Sequence, residues 1–203
     1  MNWDLFAAFL FITVILFITP GPIVTLVIAT GASQGVRAAL TTVAGTSLGN
    51  AVLLTAIAFG LNWVLQNAVE LFELLRWVGA AYLIWLGVQA WRHAGTASMA
   101  VAGGGVHFSR GVVVALTNPK TIAFFTAFLP QFVDPTLPAA MQLTVMCTVS
   151  ALLGALMDSG WAIASGLGRA WFIKPERGRL LNRMSGVVLI GGGIWLSLAR
   201  RSA

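Results

Sequence analysis

The chain has 203 residues, 58% of them hydrophobic and only 9% charged, with a net charge of +6. A soluble domain carries about 25% charged residues, so this chain has too few to cover a water-exposed surface and reads as an integral membrane protein without room for a separate soluble domain. The positive charge is therefore a signal of membrane topology rather than of affinity for nucleic acid, and the single Cys147 excludes an internal disulfide and a cysteine metal cluster.

Six apolar stretches approach the roughly 20 residues that a crossing helix needs: about 5–28, 38–61, 71–91, 111–133, 139–165 and 182–199. The first follows Met1-Asn2-Trp3-Asp4, which holds no Lys or Arg. A secretory signal begins with a positive segment, so this stretch is expected to be a retained span. The expected fold is an all-α bundle of six transmembrane helices forming one domain over residues 1–203. Its halves are 1–91 and 111–203, joined by a linker, 92–110, that contains Gly103-Gly104-Gly105. Three spans per half is an odd number, so halves of like fold would be inverted in the membrane.

The first span contains Thr19-Pro20-Gly21-Pro22, and the fourth contains Thr117-Asn118-Pro119-Lys120. Proline removes a backbone donor and clashes with the preceding turn, so both helices are expected to break there. Broken backbone at membrane depth is tolerated only where protein buries it or where it lines a cavity. Paired broken helices in the two halves point to a transporter's binding site.

In the second span, Gly45-x-x-x-Gly49 permits close helix approach, and Gly191-Gly192-Gly193 does the same in the last. Packing is the plain reading of both, and such faces leave a homo-oligomer open. Trp3, Trp63, Trp91 and Trp171 fall at span ends, as interfacial tryptophans do. Glu73 and Arg76 are three apart near the outer interface and read as a solvated pair. Asn50 serves equally as a helix–helix hydrogen bond or a substrate contact.

Basic residues divide unequally between the two sides. Arg37, Arg92, Arg110, Arg169, Lys174, Arg177, Arg179 and Arg183 fall in the odd-numbered loops, against Arg76, Arg200 and Arg201 opposite. The odd loops are thus expected in the cytoplasm and both termini outside. The acidic Asp4, Glu70, Glu73 and Asp134 lie on the outer side of this arrangement.

Helical rise then gives depth. Pro20 lies roughly 12 Å from the cytoplasmic end of its span, Lys120 roughly 14 Å and Asp158 roughly 10 Å. Lys120 and Asp158 are the deep basic and the deep acidic residue of the chain. A charge at the bilayer centre costs roughly 2.5–3.5 kcal/mol or more, so each is expected to face the bundle interior. They either neutralise each other or serve a charged visitor. A zwitterion fits: Asp158 can take an ammonium group or carry a proton, and Lys120 with Asn118 and freed N–H groups can take a carboxylate. The half-helix beginning at Pro22 adds a positive dipole end.

The motifs resemble those of the lysine-exporter (LysE-type translocator) family, in its homoserine/threonine exporter branch. Thr19-Pro20-Gly21-Pro22 followed by Gly31-Ala32-Ser33-Gln34-Gly35 is similar to the N-terminal signature. Gly79-Ala80-Ala81-Tyr82-Leu83-Ile84-Trp85-Leu86-Gly87 is similar to the third-span motif, and Arg110-Gly111 through Asn118-Pro119-Lys120 to Phe128-Leu129-Pro130-Gln131-Phe132-Val133 to the fourth. The resemblance implies a bacterial inner-membrane exporter of amino acids, driven by the proton gradient, with Pro20, Gly21, Pro22, Asn118, Pro119 and Lys120 as signature residues. Asp158 rests on depth alone.

The sequence thus points to a secondary transporter exporting small amino acids or derivatives, with no enzymatic activity, no metal site, no cofactor and no nucleic-acid partner. Efflux of another small solute such as a metal ion, and a non-transporting membrane module, are the alternatives. Lack of an intramembrane Cys/His cluster argues against a soft metal, and the two aligned charges argue against a packing scaffold.

Overall fold

Inside hydrocarbon no water satisfies the backbone, so each crossing segment must close its own hydrogen bonds. A computed structural model describes residues 1–93, 106–172 and 174–198, apart from the side chains of Val69, Glu70 and Pro175. The glycine run of the linker and Arg200 and Arg201 lie outside the described residues. Helices account for nearly all of the rest, and no strand occurs among the described residues.

The helices are α1 (Trp3–Ile18), α2 (Pro22–Gln34), α3 (Val36–Asn67), α4 (Val69–Arg92), α5 (His107–Leu116), α6 (Pro119–Phe128), α7 (Ala139–Leu167), α8 (Arg169–Phe172) and α9 (Pro175–Leu198). A 3-10 turn, Leu129–Phe132, follows α6. α3, α4, α7 and α9 are each long and apolar enough to cross a membrane. The pairs α1/α2 and α5/α6 bend by 44° and 40°, and each taken as one span brings the total to six.

The bends fall at the two proline motifs. Thr19, Gly21 and Asn118, each preceding a proline, are extended, as the ring of the next residue requires. Pro22 and Pro119 then open α2 and α6, where a missing N–H costs nothing.

Several boundaries differ from the sequence expectation, among them the first span, which runs beyond 28 to Gln34, and the fourth, which starts at His107. α3 runs beyond 61 to Asn67, and only Ala68 separates it from α4. The basic segment before 183 is already helical from Pro175 and gives α9 its first turns. Charged side chains do not stop a helix that emerges into water, so hydropathy alone places its end too late.

Small residues set the packing. A Cβ at Gly45 would collide with the Phe108 carbonyl, and one at Gly111 with that of Thr42, so α3 and α5 touch backbone to backbone. Gly166 of α7 lies against Val36 of α3, and Gly87 and Gly186 join α4 to α9. Gly49 and Gly193 also pack inside this one chain, against α5 and α4. Opposite the basic end, Phe9, Phe125 and Phe128 lie in the hydrophobic core. Arg76 is more buried than a solvated pair implies, 8% exposed, yet still holds Glu73 at 2.7 Å.

Candidate substrate and proton site

Proline chemistry builds the site. In α1, the Leu16 carbonyl would ordinarily accept from residue 20, but Pro20 has no N–H to give. Lys120 supplies the missing donor from the other broken span. Its ammonium donates to the Leu16 carbonyl at 2.7 Å and to the Thr19 carbonyl at 2.5 Å. An ammonium group has three donors, so one remains. The Lys120 stem crosses Gly21 so closely that a Cβ there would lie 2.8 Å from its Cδ. Gly21 is thus needed for close approach, not for an unusual backbone angle.

Asn118 shapes the second break. Its side-chain oxygen accepts from the Lys120 N–H at 3.2 Å and caps α6, while its amide donates to the Thr121 hydroxyl at 2.7 Å. The cap fixes the direction in which Lys120 leaves the helix.

Lys120, Asp158, Asn118, Thr121, Thr19 and Gly21 all line one cavity of about 20 Å³. Lys120 is 7% exposed and Asp158 2%. The two are close enough to feel each other's charge. Among the described residues, however, they make no direct ion pair within 4 Å. A single water needs ~10–15 Å³ of such space and a few polar partners, so the cavity suits one water or a proton path. It is too small for an amino acid.

Pro20, Pro22 and Pro119 sit on the other side of the lysine. With Gly21 and Lys120 they line a second, larger cavity of about 330 Å³. The structure therefore gathers all seven residues singled out from the sequence around two adjoining cavities that share Lys120.

Sequence reasoning passed over Thr46 at this site and two bracing residues elsewhere in the bundle. Thr46 of α3 faces Asp158, and its hydroxyl donates to the Val43 carbonyl at 3.1 Å. Its place one turn before Asn50 on a small-residue face was the available signal. Arg169, counted only for topology, donates to the Ala32 and Ser33 carbonyls, both at 2.7 Å, and ties α8 to the end of α2. Gln142 is fully buried and braces the opposite loop through the Asp134 and Leu137 carbonyls. In that loop, hydrogen bonds from the Thr136 hydroxyl and from Asn2 hold the Asp134 carboxyl below its usual range. Asn50 is 3% exposed and its side-chain oxygen has no partner among the described residues.

Known proteins resemble this chain in sequence over most or all of its length. The homoserine/homoserine lactone efflux protein of Salmonella typhimurium is 31% identical, covering 100% of both chains. An uncharacterized membrane protein of Vibrio cholerae is 31% identical over 98% of this chain and 100% of its own. The leucine efflux protein of Enterobacter sp. is 30% identical over 86% of each. No solved structure matches the chain. The pattern of the LysE type translocator family matches residues 14–200, which takes in both proline breaks and every residue from Lys120 to Asp158. The chain belongs to that family of membrane translocators.

Proposed function

We propose that this protein exports small amino acids or close derivatives from the bacterial cytoplasm in exchange for protons. The observation that carries this is the Lys120 ammonium, drawn from one broken helix onto the freed carbonyls of the other, beside the buried carboxylate of Asp158. The homoserine lactone and leucine efflux relatives support the substrate class.

In this mechanism a substrate carboxylate draws the Lys120 ammonium away from Leu16 and Thr19. Their carbonyls, at the negative end of α1, then accept the substrate's own ammonium. Asp158 carries the proton, since its cavity admits a water and no larger group. Asn118 keeps Lys120 aimed at both cavities. The halves, 1–91 and 111–203, act as one transport unit, each a broken span followed by long helices and the second inverted relative to the first.

Export is tested directly. Cells overproducing the protein should tolerate higher external amounts of at least one amino acid or toxic analogue, and should hold less of it inside. A broad panel without any change, while the protein is demonstrably in the membrane, would remove the exporter proposal.

We further propose that both termini lie outside and the basic loops inside. Single cysteines in the 103–105 linker and in the 174–179 segment, in a Cys147→Ala background, should resist an impermeant thiol reagent added to intact cells. Labelling of both from outside would reverse the orientation.

A further inference from the structure

The larger cavity has a lining that the transport chemistry above does not use. It lies between α2, α6 and the α4/α9 pair, at the depth of the two breaks and toward the basic end of the bundle. Besides the prolines and Lys120, it is lined by Thr25, Gln89, Asn182 and Ser185. None of these four side chains has a hydrogen-bond partner among the described residues. Ser185 is only 3% exposed, and Thr25, Gln89 and Asn182 are half-buried.

All four polar groups are therefore free to bond a molecule that enters the cavity, and Ser185, the buried one, has most to gain from such a partner. Two hydroxyls and two carboxamides supply both donors and acceptors, and none carries charge. Leu86 and Leu189 add apolar wall. Lys120 is the single charged residue of the lining, and the N-terminal ends of α2 and α6 meet it there with the same sign. Such a space attracts a carboxylate and repels a second cation. Its volume of about 330 Å³ lies at the lower end of the ~300–1,000 Å³ typical of small-molecule sites.

We infer that this cavity is the cytoplasmic substrate vestibule, in which Thr25, Gln89, Asn182 and Ser185 select small amino acids with uncharged side chains and exclude lysine and arginine. The assignment rests on the export proposal and extends it to the side of loading and to specificity. The substrate carboxylate faces Lys120, and its side chain lies among the carboxamides and the two leucines. Passage onto the Leu16 and Thr19 carbonyls then needs only the movement of the shared lysine.

The test uses the full chain in inside-out membrane vesicles, with Ser185→Cys or Asn182→Cys in a Cys147→Ala background. A charged thiol reagent should label both variants from the cytoplasmic face. L-Homoserine and L-leucine should slow that labelling several-fold, and L-lysine should not. In export assays Gln89→Ala and Asn182→Ala should each raise KM about fivefold with kcat retained, the loss of one neutral hydrogen bond. Failure of the charged reagent to label either variant would mean a lipid-filled groove and overturn the assignment. So would equal protection by L-lysine, or unchanged KM in both alanine variants while the wild type exports. A wild type that exports none of the amino acids would instead defeat the export proposal itself, on which this one rests.

Discussion

Asp158→Asn should enter the membrane normally, fall to background in net export, and still exchange labelled substrate for unlabelled substrate across the membrane. An amide has nearly the shape of the acid but gives up no proton, so only steps that need proton movement stop. Lys120→Met should lose both net export and exchange, because it removes the group to which the substrate carboxylate is drawn. It should also cost stability. Without the ammonium, the Leu16 and Thr19 carbonyls stay buried and unpaired, at about 1–3 kcal/mol each. A lower melting temperature in detergent would record this separately from transport. The double variant should remain inactive. Breaking a buried ion pair costs roughly 3–5 kcal/mol, and replacing both partners is often neutral, so a merely structural pair would recover when both charges go. The two groups make no direct ion pair, which already sets them apart from that case. Recovery of export in the double variant would sink the functional assignment.

The places where the helices break were legible because proline acts locally. Pro20, Pro22 and Pro119 each forbid a specific hydrogen bond, and pre-proline sterics make the residue before them extended whatever the tertiary context. The common depth of Pro20, Lys120 and Asp158 was legible because helical rise is nearly constant. Partners were harder to see. The sequence leaves open whether Lys120 and Asp158 neutralise each other or serve a charged visitor, whereas the ammonium spends two of its donors on carbonyls more than a hundred residues away. Nothing in spacing shows that the acceptor orphaned by Pro20 is satisfied from the fourth span, since that depends on how two breaks face each other. Thr46 was hidden for a related reason. Thr42, Thr46 and Thr55 all bond their own helix, and only the approach of α7 distinguishes one of them. The basic end of α9 was misplaced because hydropathy reports the bilayer, and the helix continues past it.

Gly45→Val should be the most damaging single substitution of the bundle that touches neither cavity. Apolar side chains gain nothing by leaving lipid for another helix, so association here depends on backbone proximity and van der Waals contact. The glycine on α3 meets the carbonyl of Phe108 where a Cβ has no space at all, and Gly111 returns the contact from α5. The atom in the way is backbone, so no rotamer change relieves it and the two helices must separate. Overpacking of this kind costs about 1–3 kcal/mol, occasionally more. The separation would also move Thr46, the next residue on α3, away from Asp158, and shift the start of α6 that carries Lys120. Loss of stability and loss of export should therefore arrive together. Gly60→Ala supplies the contrast, because nothing lies within 4 Å of a Cβ at that position. Alanine is favoured over glycine in a helix interior by about 1 kcal/mol, so Gly60→Ala should melt at the wild-type temperature or slightly above and export normally. The two melting curves, taken in the same detergent, decide the matter: a Gly45→Val protein as stable as the wild type would mean that α3 and α5 do not meet as described.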